Sequence, residues 1–315
     1  MANTSKLLRG VVPPVCTPFT ADYEVDEKSL RRLINHLIDG GVHGLFVLGS
    51  TSEVAYLTDK RRADVIRIAI DETAGRIPVV AGAIDMTTLR VNEHVRAAVA
   101  AGIDGIVITA PFYVRTHPEE IALHFRLVKE ACGDVPLYAY DIPVAANGVK
   151  LETATVLKLA KEGVIQGLKD SSGNDAGIRA VVLGAQKLGL TEFVVLTGSE
   201  LTVDSALMAG AHGVVPGIGN IDPAGYVKIF DLVAAGDYKS AKAEQERLTE
   251  MFGLVDVGST ARMGRGSSAL GAFKASLKLL GIVDDARMAP PQIPLNSDEI
   301  AAIVPFLKNA GLSVK

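Results

Sequence analysis

Cysteine is scarce in this chain: 315 residues hold two, Cys16 and Cys132, and no CxxC spacing joins them. That excludes a thiolate metal site and fits a reducing cytoplasm, the expected location. Blocks rich in lysine and arginine are also missing, and the net charge is −4. Nucleic acid and anionic membrane surfaces are therefore poor partners. No run approaches the roughly 18 uncharged apolar residues of a membrane span. Met1–Gly10 lacks an apolar core of signal-peptide length. Low-complexity segments are absent.

Apolar residues make up 48% of the chain and glycines number 31, enough for a large core with many short turns. Short apolar runs alternate with longer segments of helical period. Strands are expected at Val11–Cys16, Gly44–Leu48, Pro78–Ala81, Gly105–Thr109, Leu137–Asp141, Val164–Leu168, Phe193–Thr197 and Gly213–Pro216. Between them, Leu30, Leu33, Ile34, Leu37 and Ile38 set one helix face, which Gly40-Gly41 ends. Eight such βα units close most naturally into a (β/α)8 TIM barrel, an α/β fold. A doubly wound open sheet is the alternative, but it would be favoured by a GxGxxG after the first strand, which is missing. Past residue 220 strand signals stop. Asp222-Pro223 opens a helical stretch, with further helices expected at 237–253, 267–281 and 297–312. The division expected is a catalytic barrel over 1–220 and a C-terminal helical appendage over 221–315, with no motif in the appendage that requires chemistry.

Lys169 stands out. It ends the run Val164-Ile165-Gln166-Gly167-Leu168 and opens the polar turn Asp170-Ser171-Ser172-Gly173-Asn174. A lysine at the mouth of a buried strand is poorly hydrated; desolvation favours a neutral amine, and a neutral amine attacks a ketone to give a Schiff base. The bland alternative is a lysine that snorkels to the surface.

In a barrel, chemistry gathers at the C-terminal ends of the strands. After the second strand comes Gly49-Ser50-Thr51-Ser52-Glu53, an anion site for a carboxylate or a capping box from Ser50 to Glu53. Tyr113 follows the fourth strand and Tyr140 ends the fifth, so each is a proton carrier or an ordinary half-buried tyrosine. Gly198-Ser199-Glu200 and Pro216-Gly217-Ile218-Gly219-Asn220 follow the seventh and eighth. Those loops either bind phosphate or let a small substrate approach the backbone. None of the six histidines is expected at a strand mouth beside a carboxylate, and His117 and His124 are too far apart for an HExxH pair. No metal is expected.

Four segments, in order and spacing, resemble the dihydrodipicolinate synthase and N-acetylneuraminate lyase family. Pro14-Val15-Cys16-Thr17-Pro18-Phe19 is similar to its opening strand, and Gly49-Ser50-Thr51-Ser52-Glu53 to its GxTGE loop. Tyr140-Asp141-Ile142-Pro143 is similar to its YNxP segment, and Gly167-Leu168-Lys169-Asp170-Ser171-Ser172-Gly173-Asn174 to its Schiff-base segment. The resemblance implies a class I pyruvate-dependent lyase or aldolase with no cofactor, acting on pyruvate and an aldehyde, usually as a homotetramer built from dimers. It assigns Lys169 to the imine, Tyr140 to the proton shuttle, Thr51 to its relay and Tyr113 to completing that relay from a neighbouring subunit. Ser50, with Thr51 and the Gly49 loop, would hold the pyruvate carboxylate; Gly198 and Val215 would line the pocket.

Two motif positions depart: Ser52 stands for glycine and Asp141 for asparagine. The lysine-pathway synthases place an arginine soon after YNxP, where this chain has Val144-Ala145-Ala146-Asn147-Gly148. An aldehyde bearing a carboxylate would lose its bidentate partner. The reading that fits is a lyase or aldolase on a 2-keto-3-deoxy sugar acid or another 4-hydroxy-2-oxo acid. The alternatives are 4-hydroxy-tetrahydrodipicolinate synthase, N-acetylneuraminate lyase or a Schiff-base dehydratase. A non-catalytic binding protein would be suggested by loss of Lys169 or Tyr140, and both are present.

Overall fold

The computed structural model describes residues 7–315; the stretch Met1–Lys6, read above as lacking a signal-peptide core, lies outside the described residues. Eight parallel strands run β1 (Gly10–Val11), β2 (Leu45–Val47), β3 (Val79–Gly82), β4 (Gly105–Thr109), β5 (Leu137–Asp141), β6 (Gly167–Asp170), β7 (Val194–Thr197) and β8 (Gly213–Val214). Helices α1 (Glu27–Asp39), α2 (Asp59–Thr73), α3 (Thr88–Ala100), α4 (Pro118–Cys132), α5 (Thr153–Lys161), α6 (Asp175–Lys187), α7 (Val203–Met208) and α8 (Pro223–Ala234) alternate with them. Neighbouring strands pair from β2 through to β8, β8 pairs with β1, and a parallel bridge from Pro14 to Phe46 brings the β1 segment onto β2. The fold is a TIM barrel with a C-terminal helical appendage.

Both faces of these strands are covered, which is why they read as continuous apolar runs rather than alternating ones. Along β4, Ile106 and Ile108 join the core under the helices, while Val107 points into the barrel. Along β5, Leu137 and Ala139 face out and Tyr138 and Tyr140 face in. Tyr138 fills the barrel floor, its hydroxyl accepting the Leu8 amide at 3.0 Å. It fits only because Gly105 and Gly167 flank it; a side chain at Gly167 would meet the ring at 2.7 Å.

Two expected strands change most, while the others keep their bounds to within two residues. The first shrinks to Gly10–Val11, because Pro13 and Pro14 have no amide to give a ladder. The sixth begins later: the Val164 amide turns back to the Leu159 carbonyl and closes α5, so pairing starts at Gly167 and runs through Lys169 to Asp170.

The boundary drawn at residue 220 falls just before α8, which Asp222 caps and which packs on β1. By its place in the alternation it is the barrel's eighth helix. The appendage helices α9 (Tyr238–Phe252), α10 (Arg265–Leu279) and α11 (Ser297–Asn309) follow. No helix among the described residues is long and apolar enough to cross a membrane.

Candidate active site

Lys169 lies within β6, paired with Tyr140 on β5 and Leu196 on β7, not in the turn beyond the strand. Its side chain points into the barrel and is 6% exposed. The amine sits 4.0 Å from the centroid of the Tyr140 ring and 4.8 Å from that of Phe46. With Phe46, Leu196 and Val215 it lines a small void inside the barrel. Val215, expected to line the pocket, lies beside the lysine around this void.

Tyr140 is buried, and its hydroxyl lies 3.4 Å from Ser50 Oγ. Burial alone would push the phenol up. The Lys169 charge and hydrogen bonds with Ser50, Ser171 and Lys169 outweigh it and leave the phenol below its ordinary value. A phenol so placed passes protons more readily. Of the adjacent loop hydroxyls, Ser50 is the one within reach of it; Thr51, expected as the relay, sits beside Ser50, half-buried. Ser171 was missed as a site residue. Its signal was present, since two steps along a strand from Lys169 returns to the same face.

The loop between β2 and α2 departs from the capping-box reading and leaves few of its amides open to an anion. Its amides are largely taken: Gly49 donates to Ser52 Oγ, Ser52 to the Gly49 carbonyl and Glu53 to the Ser50 carbonyl. Among the described residues, the amides of this loop not taken in this way are those of Ser50 and Thr51. A 3₁₀ turn at Val54–Tyr56 follows rather than an α-helix start. Glu53 does not reach back as a capping box. It adopts φ 60°, turns its buried carboxylate to Lys274 on α10 as an ion pair, and accepts the Ala289 amide at 2.7 Å.

At the far side of the mouth, a side chain at Gly198 would meet Ser171 Oγ at 1.9 Å, so glycine here lets Ser171 lean toward Tyr140. Glu200 turns inward and accepts the Ile218 amide at 2.6 Å. Its carboxylate thus occupies donors that a phosphate on these loops would need. Burial pushes the Glu200 carboxyl up to about 7, against the pull of the Ile218 and Gly217 amides and the Lys169 charge. Between the ordinary glutamate range and pH 7 the folded protein holds a proton that the unfolded chain has released. Stability must then fall as pH rises through that window and level off above it. Glu200→Gln is expected to flatten this slope, read as melting temperature from pH 5 to 7.5; an unchanged slope would remove Glu200 as its source.

A cavity of about 460 Å³ opens over Tyr140 and Ser50. The appendage contributes to it through Gly264, Gly266, Ser267 and Leu270 at the start of α10, and through Gln292. The helical tail, expected to be free of chemistry, thus walls the site. Tyr113 points away, 83% exposed at φ 70°. Cys16 and Cys132 are buried free thiols, pushed up by burial to about 12 and about 11 and so unreactive at neutral pH. One histidine does meet a carboxylate near a strand end: His94 Nε2 lies 3.0 Å from Asp85, just past β3. No group of three or more His, Cys, Asp or Glu among the described residues is placed to hold a metal ion.

Comparison with known proteins places this geometry. Residues 7–310 match the model of the dihydrodipicolinate synthetase family. The chain belongs to that family. It is 33% identical over 252 residues to a 4-hydroxy-tetrahydrodipicolinate synthase of Methanothermobacter thermautotrophicus, covering 80% of this chain and 88% of the relative. It is 32% identical over 305 residues to an uncharacterised DapA-like lyase of Halobacterium salinarum, covering 97% and 95%. Among solved structures it is similar to YagE, a prophage protein of the same family from E. coli in complex with pyruvate. The TM-score is 0.90 at 28% identity, over 98% of this chain and 100% of that one. Members of the dihydrodipicolinate synthetase family are class I pyruvate-dependent lyases, and this chain is such an enzyme.

Both departures from the family motifs have structural partners here. Ser52, where the family has glycine, is buried and donates to the Val15 carbonyl at 2.5 Å, tying the loop to the β1 segment. Asp141, where the family has asparagine, lies beside Asp170 in register, and Lys150 bridges both carboxylates. Burial pushes Asp141 up, and the Lys150 contact opposes that. The extra negative charge thus comes with its own cation.

Proposed function

We propose that the protein makes or breaks a C–C bond between pyruvate and an aldehyde, on a 4-hydroxy-2-oxo acid, through a Schiff base on Lys169. The observation that carries this is the buried Lys169 amine packed on the ring of Tyr140, whose hydroxyl meets Ser50 under an open cavity. The amine adds to the C2 ketone of pyruvate and water leaves, giving an imine. Loss of a C3 proton gives the enamine. C3 then bonds to the aldehyde carbon, and the aldehyde oxygen takes a proton to become the C4 hydroxyl; hydrolysis returns the amine and the ketone. Cleavage runs these steps backwards. Tyr140 carries the protons, with Ser50 and Ser171 as hydrogen-bond partners, and no cofactor enters. The Ser50-Thr51 segment holds the pyruvate carboxylate beside Gly49, and Gly198 and Val215 border the site.

Tyr113 completes the relay from a neighbouring subunit of a homotetramer. Its exposed ring in a left-handed backbone, costly for a non-glycine residue, supports a role outside its own subunit. Two buried free thiols suit a cytoplasmic location. The names of several relatives favour a second reading, 4-hydroxy-tetrahydrodipicolinate synthase. Against it, Ala145 lines the cavity where those synthases carry their arginine loop, and among the described residues no arginine lines that cavity.

Incubation with pyruvate and borohydride, followed by intact mass and peptide mapping, tests the function. A reduced pyruvyl adduct on Lys169 is the expected result. A folded protein that shows no adduct would remove pyruvate from the mechanism.

A further inference from the structure

We propose that the aldehyde half of the substrate is uncharged and largely apolar, an aromatic or branched-chain aldehyde. This rests on the Schiff-base reading and narrows it. The cavity has two unlike parts. Near the lysine stand hydroxyls: Tyr140, its register partner Thr109 and Ser50. These suit the carboxylate, the imine and the new C4 oxygen. Beyond them the wall is Ile84, Phe112, Ile142 and Ala145 from the barrel and Leu270 from α10.

Among the described residues, no lysine, arginine or histidine lines this cavity. The one carboxylate that does, Glu53, is already committed to Lys274 and the Ala289 amide. Lys150, the cation on the β5–α5 connection, is held by Asp141 and Asp170. A second carboxylate on the substrate would therefore be buried without a counter-ion. A polyol would place successive hydroxyls against Ile142, Ile84 and Leu270, each losing water without gaining a partner. Beyond the hydroxyls near the lysine, the polar side chains on the wall are Tyr56 after β2 and Ser267 and Gln292 on the appendage, scattered among the apolar residues and too few for a row of hydroxyls. Branched and aromatic groups, by contrast, gain from Ile84, Phe112, Ile142, Ala145 and Leu270.

The test uses the full-length protein with pyruvate and four aldehydes: benzaldehyde, 3-methylbutanal, glyceraldehyde and succinic semialdehyde. The kcat/KM for either apolar aldehyde is expected to exceed that for glyceraldehyde and for the semialdehyde by at least about tenfold, the scale at which apolar pockets discriminate. Leu270→Asn is expected to shrink that ratio by about tenfold. Equal or greater efficiency with glyceraldehyde or the semialdehyde, or an unshifted ratio in Leu270→Asn, overturns the proposal. Borohydride trapping with pyruvate alone separates the two levels of failure. An adduct on Lys169 with the wrong aldehyde preference sinks only this inference, whereas no adduct sinks the Schiff-base reading and this one with it.

Discussion

Lys169→Ala is expected to lower turnover by at least about four orders of magnitude, since a covalent nucleophile has no substitute in its own site. Pyruvate trapping should vanish with it. The fold should survive. Among the described residues the amine makes no salt bridge; its neighbours are the Tyr140 hydroxyl and ring, the Phe46 ring and the aliphatic wall of Leu196 and Val215. Removing the side chain enlarges a void already present beside it. It also relieves the barrel of a buried amine, so the two effects oppose. A net change within about 2 kcal/mol is expected, read from urea unfolding. Should the alanine variant fold poorly, Lys169→Met refills the volume without an amine and must be equally inactive. Residual turnover near the parent level in either folded variant would refute catalysis through this lysine.

The removal of Lys169 isolates what was legible in the sequence. The fourth and fifth strands, Gly105–Thr109 and Leu137–Asp141, stand as read. Their runs are bounded by clear turn residues, and period two along β5 puts Tyr138 and Tyr140 on one face. Lys169 was legible for the same reason, though its place was not: Val164 and Ile165 look like strand, but Val164 closes the end of α5 and pairing starts only at Gly167. The Glu53–Lys274 pair was illegible because its partners are far apart in the chain and no local pattern connects them. Glu200 was visible as an acid at a strand mouth. That it would consume the Ile218 amide depends on how two loops meet in space. Ser50 and Thr51 show the limit at single-residue scale. Adjacent hydroxyls point in different directions, and only the backbone of the loop decides which one meets Tyr140.

The largest stability effect is expected at Glu53. Glu53→Gln keeps the shape and an acceptor for the Ala289 amide; it removes the charge and turns an amide NH2, a donor, toward the Lys274 ammonium. Lys274 is then left 1% exposed without its counter-ion. What remains to it is the Arg287 carbonyl at 2.8 Å and the Phe19 ring at 4.2 Å. Burial already pushes Glu53 up and Lys274 down, each opposed by the charge of the other. Breaking such a pair from one side costs about 3–5 kcal/mol, because a buried charge is stranded. Adding Lys274→Met to Glu53→Gln removes the stranded charge and should recover at least about half of that loss, whereas uncoupled sites would add their separate costs. The pair also ties the loop carrying Ser50 and Thr51 to α10, which walls the cavity through Leu270. Turnover in Glu53→Gln should therefore fall along with stability, and the double variant should regain stability more fully than turnover. A single variant as stable to urea as the parent would show that the pair holds neither loop nor appendage in place.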